Sequence, residues 1–110
     1  NIKELIGGAC SRLSAGVFNL NMINVEVINF NSNLLSAVLL PAGFTKLNLV
    51  SFVNNNLDAA SVNNVLITIN GFNTSGGFIS LSGGTNAAPT AGGIAAKNTL
   101  ISRGWTVTTI

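Results

Sequence analysis

The side chains that most often carry out chemistry in proteins are scarce in this chain and far apart in its sequence. Among 110 residues there is no histidine, and the acidic and thiol groups are Glu4, Glu26, Asp58 and Cys10. Acid–base catalysis and metal binding need several such groups brought together, and histidine is the most common choice for both. Serine is plentiful, but a serine nucleophile needs a base to activate it. We therefore expect no enzymatic activity, no cofactor and no bound metal.

Two short motifs resemble chemical sites but have simpler structural explanations. The stretch GGFISLSGG at 76–84 lacks the Gly-Lys-Ser/Thr of a phosphate-binding loop, so it predicts turn glycines on either side of a strand. The sequence NTS at 73–75 matches an N-glycosylation acceptor, which matters only in a eukaryotic secretory setting. Cys10 is the single cysteine, so it predicts a buried thiol rather than an internal disulfide.

The composition excludes two further classes of partner. Only 7% of the residues are charged, against about 25% in a typical soluble protein, while 47% are hydrophobic. The five basic residues are scattered along the chain, so we expect no nucleic-acid binding. No apolar run approaches the roughly 18 residues of a transmembrane helix, so we expect no membrane insertion.

A hydrophobic pattern with one fixed asparagine occurs twice in the first half of the chain. The stretch VEVINFNSNLL at 25–35 aligns with LNLVSFVNNNL at 47–57, with a constant displacement of 22 residues. Aligned pairs are Val25 with Leu47, Ile28 with Val50, Phe30 with Phe52, Asn33 with Asn55 and Leu35 with Leu57. A pattern that recurs at a constant interval indicates a repeat architecture.

The shared pattern, L-x-x-L-x-L-x-x-N-x-L, resembles the leucine-rich repeat. The resemblance implies an α/β solenoid, with a short parallel sheet on one face and short helices or irregular turns on the other. It also implies a ladder of buried asparagines, here Asn33 and Asn55, that bond the backbone of each turn. The segments LSGGTNAAPT at 81–90 and RGWTVTT at 103–109 are similar to the last units of repeat proteins from bacteria and their phages.

The repeat units are expected to fill residues 25–110. Strands are predicted near 27–31, 49–53, 78–82 and 104–108, and the third and fourth ladder positions fall on Gly84 and Ile110. Residues 1–24 fit the pattern poorly and predict an atypical N-terminal capping segment. The alternative for this segment is a further unit displaced by 22 residues, which would turn Ile6 and Gly8 inward.

Two helices are predicted between the later strands. Val62, Val65, Leu66 and Ile69 have the spacing of one helical face, with Asp58 as N-cap and Gly71 as the stop. In the second helix the spaced apolar residues are Ile94, Ala96, Leu100 and Ile101, and Gly104 ends it.

The outward residues of the strands form the candidate binding surface. One row contains Val27, Leu49, Phe78 and Gly104, a central row contains Asn29, Ser51, Ser80 and Thr106, and a third row contains Asn31, Val53, Ser82 and Thr108. This surface is uncharged and places hydroxyls and amides beside an apolar row. Trp105 could be a binding anchor, but its inward position favours a core role, as for Phe30 and Phe52.

We expect a non-catalytic module with a structural or adhesive role. The sheet face would contact a protein partner or a cell-surface glycan, or would only pack as a spacer. The alternative is a self-assembling subunit whose open solenoid ends, including the terminal strand WTVTTI, stack between chains into a fibre. A domain of an enzyme with its active site elsewhere is a third alternative. The resemblance implies an extracellular location, on a bacterial surface or in a virion, for example a phage tail fibre.

Overall fold

A computed structural model describes residues 4–6, 15–16 and 24–110 of the chain. The sequence-based expectations for Gly8 and Cys10 lie outside the described residues. In chain order the elements are β1 (Glu4–Ile6), β2 (Ala15–Gly16), β3 (Val27–Asn29), β4 (Ala37–Val38), β5 (Leu49–Ser51), α1 (Ala59–Asn70), β6 (Phe78–Ser80), α2 (Ala91–Ser102) and β7 (Thr106–Thr108).

A five-stranded parallel sheet, in the order β1-β3-β5-β6-β7, organises the molecule. Each strand has three residues, and its central residue points inward; Ile28, Val50 and Ile79 are all buried. Parallel neighbours need a return crossing between them, and α1 and α2 supply two of these crossings on the inward side of the sheet. A second parallel pair, β2 with β4, lies apart from the sheet. The inward side is therefore the core, and the opposite side of the sheet is open.

The α/β solenoid expected from the leucine-rich-repeat resemblance is wrong, because the structure is a small compact globule with a five-stranded parallel sheet and two helices. Its radius of gyration is 12.5 Å, close to the roughly 13 Å expected of a compact domain of this length. Five strands spaced about 4.8 Å apart cover only about 19 Å of sheet. The stacked strands are thus too few to build an elongated body.

The register of the first strand differs from the one that the 22-residue repeat spacing predicts. Leu5 is the partner of Ile28, a displacement of 23 residues rather than 22. Leu5 therefore packs against the core, while Ile6 is 66% exposed. The alternative in which Ile6 turns inward is wrong, because the extra residue in this interval reverses the two faces of β1.

The predicted face and caps of α1 are confirmed. Its buried side contains Val62, Val65, Leu66 and Ile69, and Gly71 follows its last turn as the C-cap. At its start the backbone N–H of Ser61 donates to Asp58 Oδ1 at 2.8 Å. Hydrogen bonds from the Ser61 side chain and backbone stabilise the carboxylate, and they lower the pKa of Asp58 from its ordinary value.

The second helix is present, but half of its predicted apolar face is wrong. Ala96 and Leu100 are buried, whereas Ile94 and Ile101 are nearly half exposed. The reason is close packing between the helices, which places Gly93 against α1. A Cβ on Gly93 would lie 2.0 Å from Asn63 Oδ1, so only small residues fit on that side of α2.

The aromatic residues assigned to the core are confirmed there. Phe52 is fully buried, and its ring stacks on half-buried Phe30 with centroids 6.2 Å apart. Trp105 is 3% exposed, and its Nε1 donates to the carbonyl of Thr74 at 3.0 Å.

The register of the last strand differs from the expected one by two residues. Val107 pairs with Ile79 and Thr106 with Phe78, so Trp105 lies at the level of Gly77. A Cβ on Gly77 would lie 2.3 Å from the indole ring and 2.7 Å from the carbonyl oxygen of Asn48. The indole therefore fills space that only a glycine at position 77 leaves open.

We expect Gly77→Ala to destabilise the fold by about 1–3 kcal/mol, because the added methyl group meets both a buried ring and rigid backbone. The measurement is urea unfolding followed by circular dichroism. The matched control is Gly92→Ala, where the nearest atom would be Ile67 Cδ1 at 3.4 Å. Since alanine favours helix, this control should be neutral or stabilising by about 0.5 kcal/mol. Equal midpoints for the two variants would contradict the packing described for Trp105.

Candidate binding face

Three buried asparagines follow the strands and bond the backbone of the turns that end them. Asn33, Asn55 and Asn86 are each no more than 5% exposed. The residue just before Asn33 and Asn55, namely Ser32 and Asn54, has a φ of 59°, a left-handed conformation. The strands β3 and β5 thus leave the sheet by the same sharp turn, and an asparagine side chain enters the space beneath it.

The contacts of Asn55 show what these side chains do. Its Nδ2 donates to the carbonyls of Phe30 at 2.9 Å and Phe52 at 3.0 Å, while its Oδ1 accepts from the backbone N–H of Leu35 at 3.1 Å. Asn33 lies in the same position one strand earlier, and its Nδ2 donates to the carbonyl of Phe30 at 2.9 Å. One amide therefore joins two successive turns.

Asn86, not Gly84, continues the series. Its Nδ2 donates to the carbonyl of Phe52 at 2.9 Å, and its Oδ1 accepts from the backbone N–H of Leu57 at 2.9 Å. The backbone of Gly84 does pair with Asn55, but the chain makes two more residues of turn before the asparagine. Gly83 and Gly84, both left-handed, allow this longer turn. The fourth expected ladder residue, Ile110, is 57% exposed instead.

We expect Asn55→Ala to lower the free energy of unfolding by about 1–3 kcal/mol, because it leaves buried backbone groups without hydrogen bonds. The control is Asn56→Ala, the exposed neighbour, whose Oδ1 accepts a surface hydrogen bond from Thr85; we expect a change within about 0.5 kcal/mol. Urea unfolding of both variants measures the difference. A loss for Asn56→Ala as large as that for Asn55→Ala would refute a special role for the buried amide.

Two rows of outward side chains form the open face of the sheet. The first row joins Val27, Leu49, Phe78 and Thr106, and the second joins Asn29, Ser51, Ser80 and Thr108. The shifted register of β7 corrects the expected rows: Thr106 is in the first row and Thr108 in the second. Gly104 is in the preceding turn, with a φ of 86°. At the other edge, β1 extends the rows with Glu4 and Ile6.

The expected third row forms only in part, beyond the ends of the strands. Asn31, Val53 and Ser82 are half-buried there. The Oδ1 atom of Asn31 accepts from Ser51 Oγ at 2.6 Å and from the backbone N–H of Val53 at 2.8 Å. This row is therefore fixed by hydrogen bonds within the protein, and it borders the face without offering many unpaired groups.

A concavity of about 300 Å³ lies on the open face. Its lining residues are Asn29, Leu49, Val50, Ser51, Phe78, Ile79, Ser80, Thr106 and Thr108. The ring of Phe78 is 57% exposed, which is unusual for a large aromatic side chain on a small domain. Sequence reasoning found seven of these nine residues as outward side chains. It missed Val50 and Ile79, whose strand positions point inward.

Among the described residues, no ionisable side chain lines the concavity. Lys46 bonds Asn24, Lys97 bonds Thr109, and the Arg103 guanidinium bonds Asn70 and Asn73.

Within the described residues, no group of three or more histidine, cysteine, aspartate or glutamate side chains could hold a metal ion. In the same part of the chain, no helix has the length and hydropathy to cross a bilayer.

Comparison with protein-family models, with curated proteins and with solved structures found no match to this chain.

Proposed function

We propose that this chain is a non-catalytic binding module, with a structural or adhesive role, whose open sheet face contacts a neutral protein or glycan partner. The observation that carries the proposal is the concavity, where exposed Phe78 is surrounded by hydroxyl and amide groups. A concave site with an apolar floor and a few polar groups is the usual form of a ligand site. Because its described lining residues carry no ionisable group, they offer binding rather than acid–base chemistry.

We further propose that the module acts outside the cell, on a bacterial surface or in a virion such as a phage tail fibre. The support is the resemblance, in sequence pattern alone, of residues 81–90 and 103–109 to the last units of repeat proteins from bacteria and phages. The very low charge is consistent with a surface that packs closely against a neighbour. Whole bacterial cells are therefore the first probe for binding.

Placing a charge in the concavity should abolish binding without unfolding the chain. Thr106 is exposed and lines the concavity, so we expect fluorescently labelled Thr106→Arg to lose binding to a panel of bacterial cells. The charge must be desolvated without a partner, which costs several kcal/mol at a buried contact. The control is Asn98→Arg, an exposed position on α2, which should bind as the parent does. Equal binding of both variants in flow cytometry would show that the face is not used.

Self-assembly is the second candidate, and β7 is the observation that favours it. It is the last strand in the sheet order, its sequence Thr-Val-Thr carries no charge, and Val107 is only half-buried. An uncharged edge strand can pair with another chain. Such pairing would join the sheets of two copies of the chain edge to edge.

If the edge of β7 drives assembly, light scattering over a hundredfold concentration range should show a rising mass. Charging the edge should then restore monomers. Val107→Lys tests this directly, but Val107 packs against the core. The second variant is therefore Ile110→Lys, at a residue that is 57% exposed just beyond the strand. A parent chain of constant mass, or assembly that neither lysine reduces, would exclude this candidate.

A further inference from the structure

The exposed aromatic ring in the concavity is suited to a flat apolar surface. Phe78 lies between Leu49 of β5 and Thr106 of β7 in the first row of the face. An exposed ring gains free energy when it is covered, and it packs best face-on or edge-on against a flat partner. A pyranose ring has such a surface, formed by its axial C–H groups, and carries hydroxyls around its rim.

The hydroxyls beside Phe78 match that rim. Ser80, Thr106 and Thr108 lie close to the ring on the same face, and their side chains make no hydrogen bond within the described part of the chain. Each hydroxyl can both donate and accept, as a sugar hydroxyl does. Ser80 and Thr108 are partners on adjacent strands about 4.8 Å apart, and Thr106 and Thr108 lie two residues apart on β7, about 6.6 Å along the strand. The sheet fixes both spacings, so the backbone requires no ordering when a ligand binds.

The composition of the face argues against a protein as the main partner. Protein interfaces are enriched in aromatic residues, methionine and arginine, and their binding energy comes mostly from tryptophan, tyrosine and arginine. The chain has no tyrosine, and its single tryptophan, Trp105, is buried in the core. Of the two arginines, Arg12 lies outside the described residues, and Arg103 lies beyond the end of α2, where it bonds Asn70 and Asn73. A volume of about 300 Å³ also suits a sugar unit better than a folded surface.

From these contacts we infer that the concavity binds a neutral glycan, with one pyranose ring stacked on Phe78 and its hydroxyls bonded to Ser80, Thr106 and Thr108. The inference rests on the function proposed above and names its partner. The lining residues that the structure describes have no ionisable group, so they give an acidic sugar no counter-charge. The site therefore selects neutral sugars over sialylated or uronic-acid-containing ones.

The test uses an array of immobilised neutral oligosaccharides built from glucose, galactose, mannose and N-acetylglucosamine, with acidic counterparts on the same array. Calorimetry then gives the Kd of each glycan that binds. We expect Phe78→Ala to weaken binding about tenfold or more, because the stacking surface is lost. Ser80→Ala and Thr106→Val keep the shape of the face and remove one hydroxyl each, so each should weaken binding by about 2- to 13-fold.

Leu39→Ala is the matched control for the loss of an exposed apolar side chain. Leu39 is 71% exposed and follows β4, outside the five-stranded sheet, so its removal should leave the Kd unchanged. Binding of acidic glycans as tight as that of neutral ones would overturn the inference, as would hydroxyl-deleted variants that bind like the parent.

Failure of the inference can be distinguished from failure of the proposed function. If no neutral glycan binds, but Thr106→Arg still abolishes binding to cells, the partner is a protein and only the glycan inference fails. If a glycan binds equally to the parent chain and to Phe78→Ala, its site lies elsewhere and the proposed role of the face fails as well. Absence of both glycan and cell binding would overturn both proposals.

Discussion

Hydrogen bonds from buried asparagine side chains are the constraint on which this structure depends. A three-residue strand supplies few ladder hydrogen bonds, and the sharp turn that follows it leaves backbone groups facing the core. Asn33, Asn55 and Asn86 bond those groups, and Asn55 and Asn86 also bond the turn that follows the preceding strand. Because the turns are fixed, short strands remain in parallel register, and the side chains of the open face keep their positions.

Sequence patterns predicted the structure correctly where the contacts join residues that are close together in the sequence. The face of α1 and its Asp58 cap follow from spacing within one helix, and the stacking of buried Phe52 on half-buried Phe30 follows from the two aligned stretches. The packing between residues far apart in the sequence could not be predicted from such patterns. The position of Trp105 depends on the empty space at Gly77, and the burial of Gly93 depends on Asn63 in another helix. The solenoid expectation failed for a related reason: a recurring unit gives the local turn, but the number of strands decides the overall shape.

The candidate site shows the same difference between features that local sequence patterns predict and features that depend on long-range packing. The outward residues of β3, β5 and β6 could be assigned from strand alternation alone, because one inward residue fixes its neighbours. Those of β7 could not, since two residues of displacement moved Thr106 and Thr108 to other rows. The concavity itself has no sequence signal. It arises where Phe78 rises from the sheet beside small serine and threonine side chains, and no single stretch of sequence contains all of these residues.

The burial of Trp105 has a consequence for how the molecule can be observed. It is the only tryptophan, there is no tyrosine, and its indole is held between Gly77 and the carbonyl of Thr74 at the β7 end of the sheet. Intrinsic fluorescence therefore reports the opening of that end alone, and circular dichroism reports both helices. A parallel sheet whose strands are adjacent in sequence can fray from one edge, and local and global opening have different free energies. Trp105 fluorescence, compared with circular dichroism, therefore distinguishes local opening at β7 from global unfolding.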